Sequence, residues 1–173
     1  MPIICNGFKD SEFIETVILA TKLGRNIIPV IEKWTELELI VKHAKAYNVR
    51  PKIGLRVKLS SRGAGRWESS AGARSKFGLF VSECLKAVDY LKAHGMLDCL
   101  NLLHCHVGSQ LYDIKVLKNA VNELCKLCAS PRRSRKFAML CSTTNCSSTL
   151  FASCASSSRA LATSARRCSA IFA

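Results

Sequence analysis

The feature that most constrains this chain is a repeat. Short apolar runs alternate with amphipathic helical stretches, and the stretches stop at glycine or just before proline. Pro2-Ile3-Ile4-Cys5 is the first apolar run, and Asn6-Gly7 behind it marks a turn. Asp10 or Ser11 is placed to cap a helix with Ile14, Val17, Ile18 and Thr21 on one face, and Gly24 closes it. Ile27 to Ile31 is the next strand. Thr35 is the expected cap of the second helix, because Glu38 stands three residues on in the capping-box position. The apolar face there is Leu37, Ile40, Val41, Ala44 and Tyr47. Pro51 ends the helical region, and Ile53 to Val57 is a third strand. Ser82 is expected to start a helix bearing Cys84, Leu85, Val88 and Leu91, with Gly95 beyond its end. Leu100 to His106 forms a fourth strand, and a last helix carries Ile114, Leu117, Val121 and Leu124. Strands that alternate with helices in this way are parallel, with helical crossovers. The class is therefore α/β, either an open sheet or an arc of a barrel.

One connection is longer than the others. Ser60 to Lys76, rich in Lys, Arg, Gly and Ser, follows the carboxyl end of the third strand. Loops at that end carry the active site in both kinds of parallel fold. Surface loops of this composition also occur without any function.

Composition changes abruptly near residue 128. The formal net charge is +14, yet all 12 acidic residues lie between Asp10 and Glu123 and the last glycine is Gly108. From Cys128 to Ala173 there are seven Arg or Lys and no Asp, Glu or Gly, while Ser, Ala and Thr dominate. The excess charge is thus concentrated in a tail, and whole-chain averages do not argue for nucleic-acid binding. Arg132-Arg133-Ser134-Arg135-Lys136 lacks the interleaved aromatics of a base-stacking surface. No nucleic-acid partner is expected. No run approaches eighteen apolar residues, so no membrane span is expected, and Met1 to Lys9 has no signal-peptide pattern. Residues 128–173 are read as a tail without regular structure. Translation in another frame, retained intron sequence or a divergent extension would each produce such a composition.

Cys5, Cys84, Cys99, Cys105 and Cys125 are scattered through the predicted elements with no CxxC pair, as buried reduced thiols are. Cys141 and Cys146 lack the second half of a zinc module. The segment His104-Cys105-His106-Val107-Gly108-Ser109-Gln110 is the sharpest local feature. Alternation puts His104 and His106 on one face of a strand and Cys105 on the other. Two histidines can begin a metal site, but no third ligand stands at a recognisable spacing, and an ordinary core pair is the competing reading. The Gly108-Ser109 turn offers an amide and a hydroxyl at a strand terminus, where a phosphate or ring can be held.

Residues 3–127 closely resemble the middle of the biosynthetic arginine decarboxylases of the plant and bacterial type. These are pyridoxal-phosphate enzymes with an alanine-racemase-like barrel. The resemblance is carried by Ile4-Cys5-Asn6-Gly7-Phe8-Lys9-Asp10, Val30-Ile31-Glu32-Lys33 and Ile53-Gly54-Leu55-Arg56-Val57. It continues through Gly63-Ala64-Gly65-Arg66-Trp67-Glu68-Ser69-Ser70, Ser75-Lys76-Phe77-Gly78-Leu79, Gly95-Met96-Leu97-Asp98-Cys99-Leu100 and Leu103 to Gln110. The segment His106-Val107-Gly108-Ser109 alone is shared with ornithine and diaminopimelate decarboxylases, whereas the long loop around Trp67 belongs to the arginine enzyme.

The resemblance implies a fragment of a (β/α)8 TIM-type barrel, about strands three to six. Residues 1–127 would be a partial pyridoxal-phosphate-binding domain and 128–173 the tail. It implies pyridoxal 5'-phosphate as cofactor, L-arginine as substrate and agmatine and CO2 as products, at the first step of a polyamine route. His106 would stack on the cofactor ring and Ser109 would lie near its phosphate, while Arg56 and Lys76 would support the site. Cys105 stands where relatives often carry an aromatic residue. The lysine that holds the cofactor covalently lies upstream of the Cys5-Asn6-Gly7 segment in relatives. No catalytic residue is therefore expected in this chain, and Lys9, Lys33 and Lys76 do not sit in that lysine's motif. Mg2+ and a homo-oligomer are family associations, and cytoplasm or plastid is the expected compartment. The competing functional class is a catalytically dead partner that associates with a full-length decarboxylase.

Overall fold

The computed structural model describes residues 2–59, 75–108, 114–128, 138–143 and 150–153. The chain forms two compact units, Met1–Arg56 with Phe77–Leu102, and Val57–Lys76 with Leu103–Ala173.

The first unit is built from β1 (Ile3–Cys5), α1 (Ser11–Lys22), β2 (Ile27–Ile31), α2 (Trp34–Ala46), β3 (Ile53–Arg56), α3 (Val81–Ala93), a short 3-10 turn (Leu97–Cys99) and the start of β4 (Leu100–Gly108). β1 pairs parallel with β2, Ile4 opposite Ile28, and β2 pairs parallel with β3, Val30 opposite Gly54. Parallel strands covered on both faces read as continuous apolar runs, and β2 and β3 do so. Ile28, Val30, Ile31, Ile53 and Leu55 are all buried. The helices lay Ile14, Val17 and Ile18 of α1, Leu37, Ile40, Val41 and Ala44 of α2, and Cys84, Ala87, Val88 and Leu91 of α3 into the core.

Each helix stops by the same device. After α1 the Gly24 amide donates to the Thr21 carbonyl at 2.9 Å and the Arg25 amide to Ala20 at 3.0 Å, with Gly24 at φ +83°. After α2 the Asn48 amide donates to Lys45 and the Val49 amide to Ala44, with Asn48 at φ +52°. After α3 the Gly95 amide donates to Lys92 and the Met96 amide to Leu91, with Gly95 at φ +65°. These are Schellman closures. They satisfy the last helical carbonyls and turn the chain back toward the sheet. Asparagine substitutes for glycine after α2 because its short polar side chain tolerates the left-handed region.

Helix starts differ from the sequence reading in two places. Asp10 caps α1 as expected, its Oδ1 accepting from the Phe13 amide at 2.8 Å. Thr35, expected as the cap of α2, lies inside that helix, which begins at Trp34 after Lys33. Glu38 instead accepts from Trp34 Nε1 at 2.9 Å. The capping-box pattern failed because Glu36, at the third helical position, is drawn into the loops at the strand ends. Helix α3 begins at Val81, one residue before Ser82, with the Glu83 carboxylate accepting from the Phe80 amide at 2.7 Å.

The second unit contains the rest of β4, α4 (Ile114–Cys128), β5 (Ala138–Thr143) and β6 (Leu150–Ser153). The Val57 amide donates to the His104 carbonyl at 2.8 Å. In α4, Ala120 and Leu124 are buried. Within the tail, β5 and β6 pair antiparallel, Cys141 opposite Leu150. Ala138-Met139-Leu140-Cys141 and Leu150-Phe151-Ala152 are uncharged, mostly apolar runs on either side of a polar Ser/Thr/Asn stretch. That pattern permits a local hairpin whatever the surrounding composition. The long-loop residues 60–74 and the basic cluster at 130–136 lie outside the described residues.

Gly54 shows how tightly the strands approach. A Cβ there would sit 3.1 Å from Leu102 Cδ2 and 3.1 Å from Val30 Cγ2. Gly54→Ala is expected to destabilise the first unit by about 1–3 kcal/mol through overpacking. Urea denaturation followed by circular dichroism measures the loss.

Candidate functional site

Strand polarity decides where chemistry can gather in the first unit. The parallel strands β1, β2 and β3 all end on one side, and each delivers a polar or charged residue just beyond or at its last apolar position. Cys5 leads to the Asn6–Asp10 loop, Ile31 leads to Glu32, and Arg56 closes β3.

Glu32 is 1% exposed and holds two neighbours with one oxygen. Its Oε1 accepts from the Gly7 amide at 2.9 Å and from Arg56 Nη1 at 2.8 Å. Gly7 has φ +87°, a left-handed conformation that L side chains rarely adopt, and this turn aims its amide at Glu32. Oε2 of Glu32 is buried and has no partner among the described residues. Arg56 is 14% exposed at the side chain, and its guanidinium carbon lies 5.9 Å from the Phe77 ring centroid. The backbone locks the same place: the Gly78 amide donates to the Glu32 carbonyl at 3.1 Å and the Leu79 amide to the Arg56 carbonyl at 2.8 Å.

Glu36 forms the second node. It lies in the first turn of α2, and its side chain is 1% exposed. Oε2 accepts from the Glu32 amide at 2.8 Å and pairs with Lys9 Nζ at 3.3 Å, and Oε1 accepts from the Lys9 amide at 3.1 Å. Lys9, as buried as Glu36, also donates from Nζ to the Gly7 carbonyl. A buried ammonium and a buried carboxylate survive here because each is charge-paired and hydrogen-bonded. The result joins the loop after β1 to the loop after β2. At its rim, Lys33 Nζ sits 4.7 Å from the Phe8 ring centroid.

Burial pushes the Cys5 thiol above its ordinary range, while the Lys9 charge pulls the other way. Cys5 is thus a protonated thiol at neutral pH, not a nucleophile. Lys9, held by Glu36 and the Gly7 carbonyl, is a structural cation. Arg56, partly buried and paired with Glu32, carries a planar fork that suits carboxylate or phosphate oxygens.

The sequence-predicted residues are divided between the two units. Arg56 belongs to the first unit and is paired with Glu32. His106 lies on β4 in the second unit, partly exposed between the buried Cys105 and Val107, and Lys76 is exposed in that unit. Ser109 lies outside the described residues. His104 is 1% exposed, unlike His106, although alternation puts both on one face. Among the described residues no group of three or more His, Cys, Asp or Glu side chains could hold a metal ion. No helix among them is long and apolar enough to cross a membrane. Sequence reasoning passed over Lys9, Glu32 and Glu36 as site residues. The available signal was a pair of acids four apart across the junction between a buried strand and a helix.

Residues 3–140 match the family model of the pyridoxal-dependent decarboxylase, pyridoxal binding domain. The biosynthetic arginine decarboxylase of Rhodopirellula baltica is 57% identical over 127 residues, 73% of this chain and 19% of that protein. Among solved structures, the biosynthetic arginine decarboxylase of Campylobacter jejuni is 39% identical with a TM-score of 0.65, over 76% of this chain and 20% of that one. Diaminopimelate decarboxylase from Helicobacter pylori, complexed with L-lysine, is 25% identical with a TM-score of 0.61, over 71% of this chain and 30% of that one. The chain therefore spans about a fifth of the length of its arginine decarboxylase relatives.

Two outcomes follow from the buried charges. Glu36→Ala is expected to cost about 3–5 kcal/mol in chemical denaturation, because it strands the Lys9 ammonium. Lys9→Met with Glu36→Leu is not expected to restore stability, since the Glu32 and Lys9 amides still lose their acceptor. Alkylation of Cys5, followed by mass spectrometry of its peptide, is expected to accelerate with pH and to reach half-maximal rate at a higher pH than an exposed cysteine in a control peptide.

Proposed function

This chain belongs to the pyridoxal-dependent decarboxylases, and on that premise we propose that it is a segment of an arginine decarboxylase that converts L-arginine to agmatine and CO2. The observation that carries the reading is the 57% identity to a biosynthetic arginine decarboxylase over 127 residues. The loop Gly63-Ala64-Gly65-Arg66-Trp67-Glu68-Ser69-Ser70 agrees with it and opposes an ornithine or lysine enzyme.

Pyridoxal 5'-phosphate, when bound, supplies an electron sink for the charge left on the α-carbon as CO2 departs. His106 fits a role beside it: a partly open imidazole on a strand whose neighbouring residues are buried can pack flat against an aromatic ring. Ser109 is assigned to the phosphate through its hydroxyl. Arg56, at a strand end, and Lys76, in the loop that follows, are assigned supporting roles near the site. Residues 1–127 are taken as the part of the cofactor-binding domain that bears these groups. The product places the full enzyme at the entry to polyamine synthesis, with Mg2+, self-association and a cytoplasmic or plastid location as family associations.

The test is a full-length arginine decarboxylase that carries residues 3–127 of this chain in place of its own matching segment. It is expected to release CO2 and agmatine in equal amounts from L-arginine and to leave L-ornithine untouched. His106→Ala in that protein is expected to weaken cofactor binding about tenfold. Turnover of ornithine in preference to arginine would overturn the substrate assignment. The 173-residue chain alone is expected to yield no agmatine when incubated with the cofactor and arginine.

A further inference from the structure

Glu32 has no role in the reading above, yet the fold buries its carboxylate completely at the strand ends. An isolated buried carboxylate is costly, so its partners indicate what it is for. One oxygen serves both partners, the Gly7 amide and Arg56 Nη1. Arg56 makes no other ion pair among the described residues, and only Nη1 of its guanidinium meets Glu32. The guanidinium is restrained on several sides: by Glu32, by the Phe77 ring, and by backbone bonds that fasten Arg56 to Leu79 and Glu32 to Gly78. A planar fork restrained in this way at the carboxyl end of a parallel strand is pre-organised to receive an oxyanion.

We propose that Glu32 is the positioning residue for Arg56, and that Arg56, so held, receives an oxyanion: the carboxylate of the amino-acid substrate or the phosphate of the cofactor. The proposal rests on the functional reading above for the identity of both molecules. Glu32 itself touches neither. It fixes the guanidinium and, through the Gly7 amide, the loop after β1 in one geometry.

The unused Oε2 makes the role separable from charge. In Glu32→Gln the amide oxygen can take the place of Oε1 and accept both bonds, while the NH2 group takes the place of the oxygen that has no partner. In Glu32→Ala both bonds are lost. The experiment uses the full-length decarboxylase carrying residues 3–127 of this chain, with Glu32→Ala, Glu32→Gln, Arg56→Ala and Glu32→Ala with Arg56→Ala. Three constants are read: the dissociation constants of pyridoxal 5'-phosphate and of pyridoxal from the apoprotein by fluorescence, the KM for L-arginine, and the inhibition constant of agmatine, which lacks the carboxylate.

Glu32→Ala is expected to weaken oxyanion recognition about tenfold, Glu32→Gln to stay within about threefold of the parent, and the double variant to be no worse than Arg56→Ala. If the phosphate is the ligand, pyridoxal 5'-phosphate loses affinity and pyridoxal does not. If the substrate carboxylate is the ligand, KM for arginine rises and agmatine inhibition is unchanged. The proposal is overturned if Glu32→Ala lowers only the melting temperature and leaves every constant within about twofold, or if the losses at Glu32 and Arg56 simply add. Should Glu32→Ala fail to fold, Glu32→Asp, one methylene shorter, carries the same comparison. A parent protein that binds the cofactor but does not decarboxylate arginine defeats the functional reading alone, and the cofactor constants still decide the role of Glu32.

Discussion

The carboxylate of Glu36 is the constraint on which the strand ends of the first unit depend. It accepts from two backbone amides, at Glu32 and Lys9, and neutralises the Lys9 ammonium in the same buried volume. Two loops that would otherwise be joined only through their strands are thereby held by a single helical side chain. The neighbouring Glu32 can then be buried with its oxygen pointed at Gly7 and Arg56. Two ion pairs, Lys9 with Glu36 and Arg56 with Glu32, occupy this region, with backbone amides supplying the remaining donors. Paired charges in low dielectric contribute little net stability compared with apolar packing, but they demand one geometry. That demand suits a surface where a ligand must be met by groups already in place.

Beneath the charges the unit is built by repetition. Each strand is largely apolar, each helix shows one apolar stripe, and each helix ends in a left-handed residue. The repetition sets all strand ends on one side, so residues distant in sequence meet there. Glu32 and Arg56 are 24 residues apart and form an ion pair, and Lys9 and Glu36 are 27 apart by the bond from the Lys9 amide. At the other end, Arg50 pairs with Asp98 at a half-exposed site where solvent screens the interaction. The same ion-pair chemistry is thus structural decoration at one end and a positioning device at the other. Burial makes the difference.

Much of the fold was legible because local signals agreed with one another. Apolar runs at Ile27 to Ile31 and Ile53 to Val57, the faces of the helices, and the closures at Gly24 and Gly95 could be read directly, since spacing and φ preference are properties of short segments. Asp10 as a cap was legible for the same reason. Thr35 was misread because its Thr-x-x-Glu pattern is a local rule, whereas the helix start is governed by Glu36 reaching back across the chain. In the tail, composition argued against regular structure and carried no signal for the one short strand pair between two apolar runs. In the site, Arg56 was visible as a charge at a strand end and His106 as part of a motif. Lys9 and Glu32 were visible as letters of matching motifs but were given no role there, and Glu36 was not singled out.

The sequence by itself determined the class of fold, the parallel order of the first three strands and the family, because periodicity and motif identity are written along the chain. Only the tertiary structure decided that Lys9, Glu32 and Glu36 are buried, which oxygen each donor meets, and that Arg56 is restrained while Lys76 is exposed. The physical reason is that burial and pairing depend on which strand ends converge. Convergence is set by the packing of helices on a parallel sheet, and no single segment encodes it.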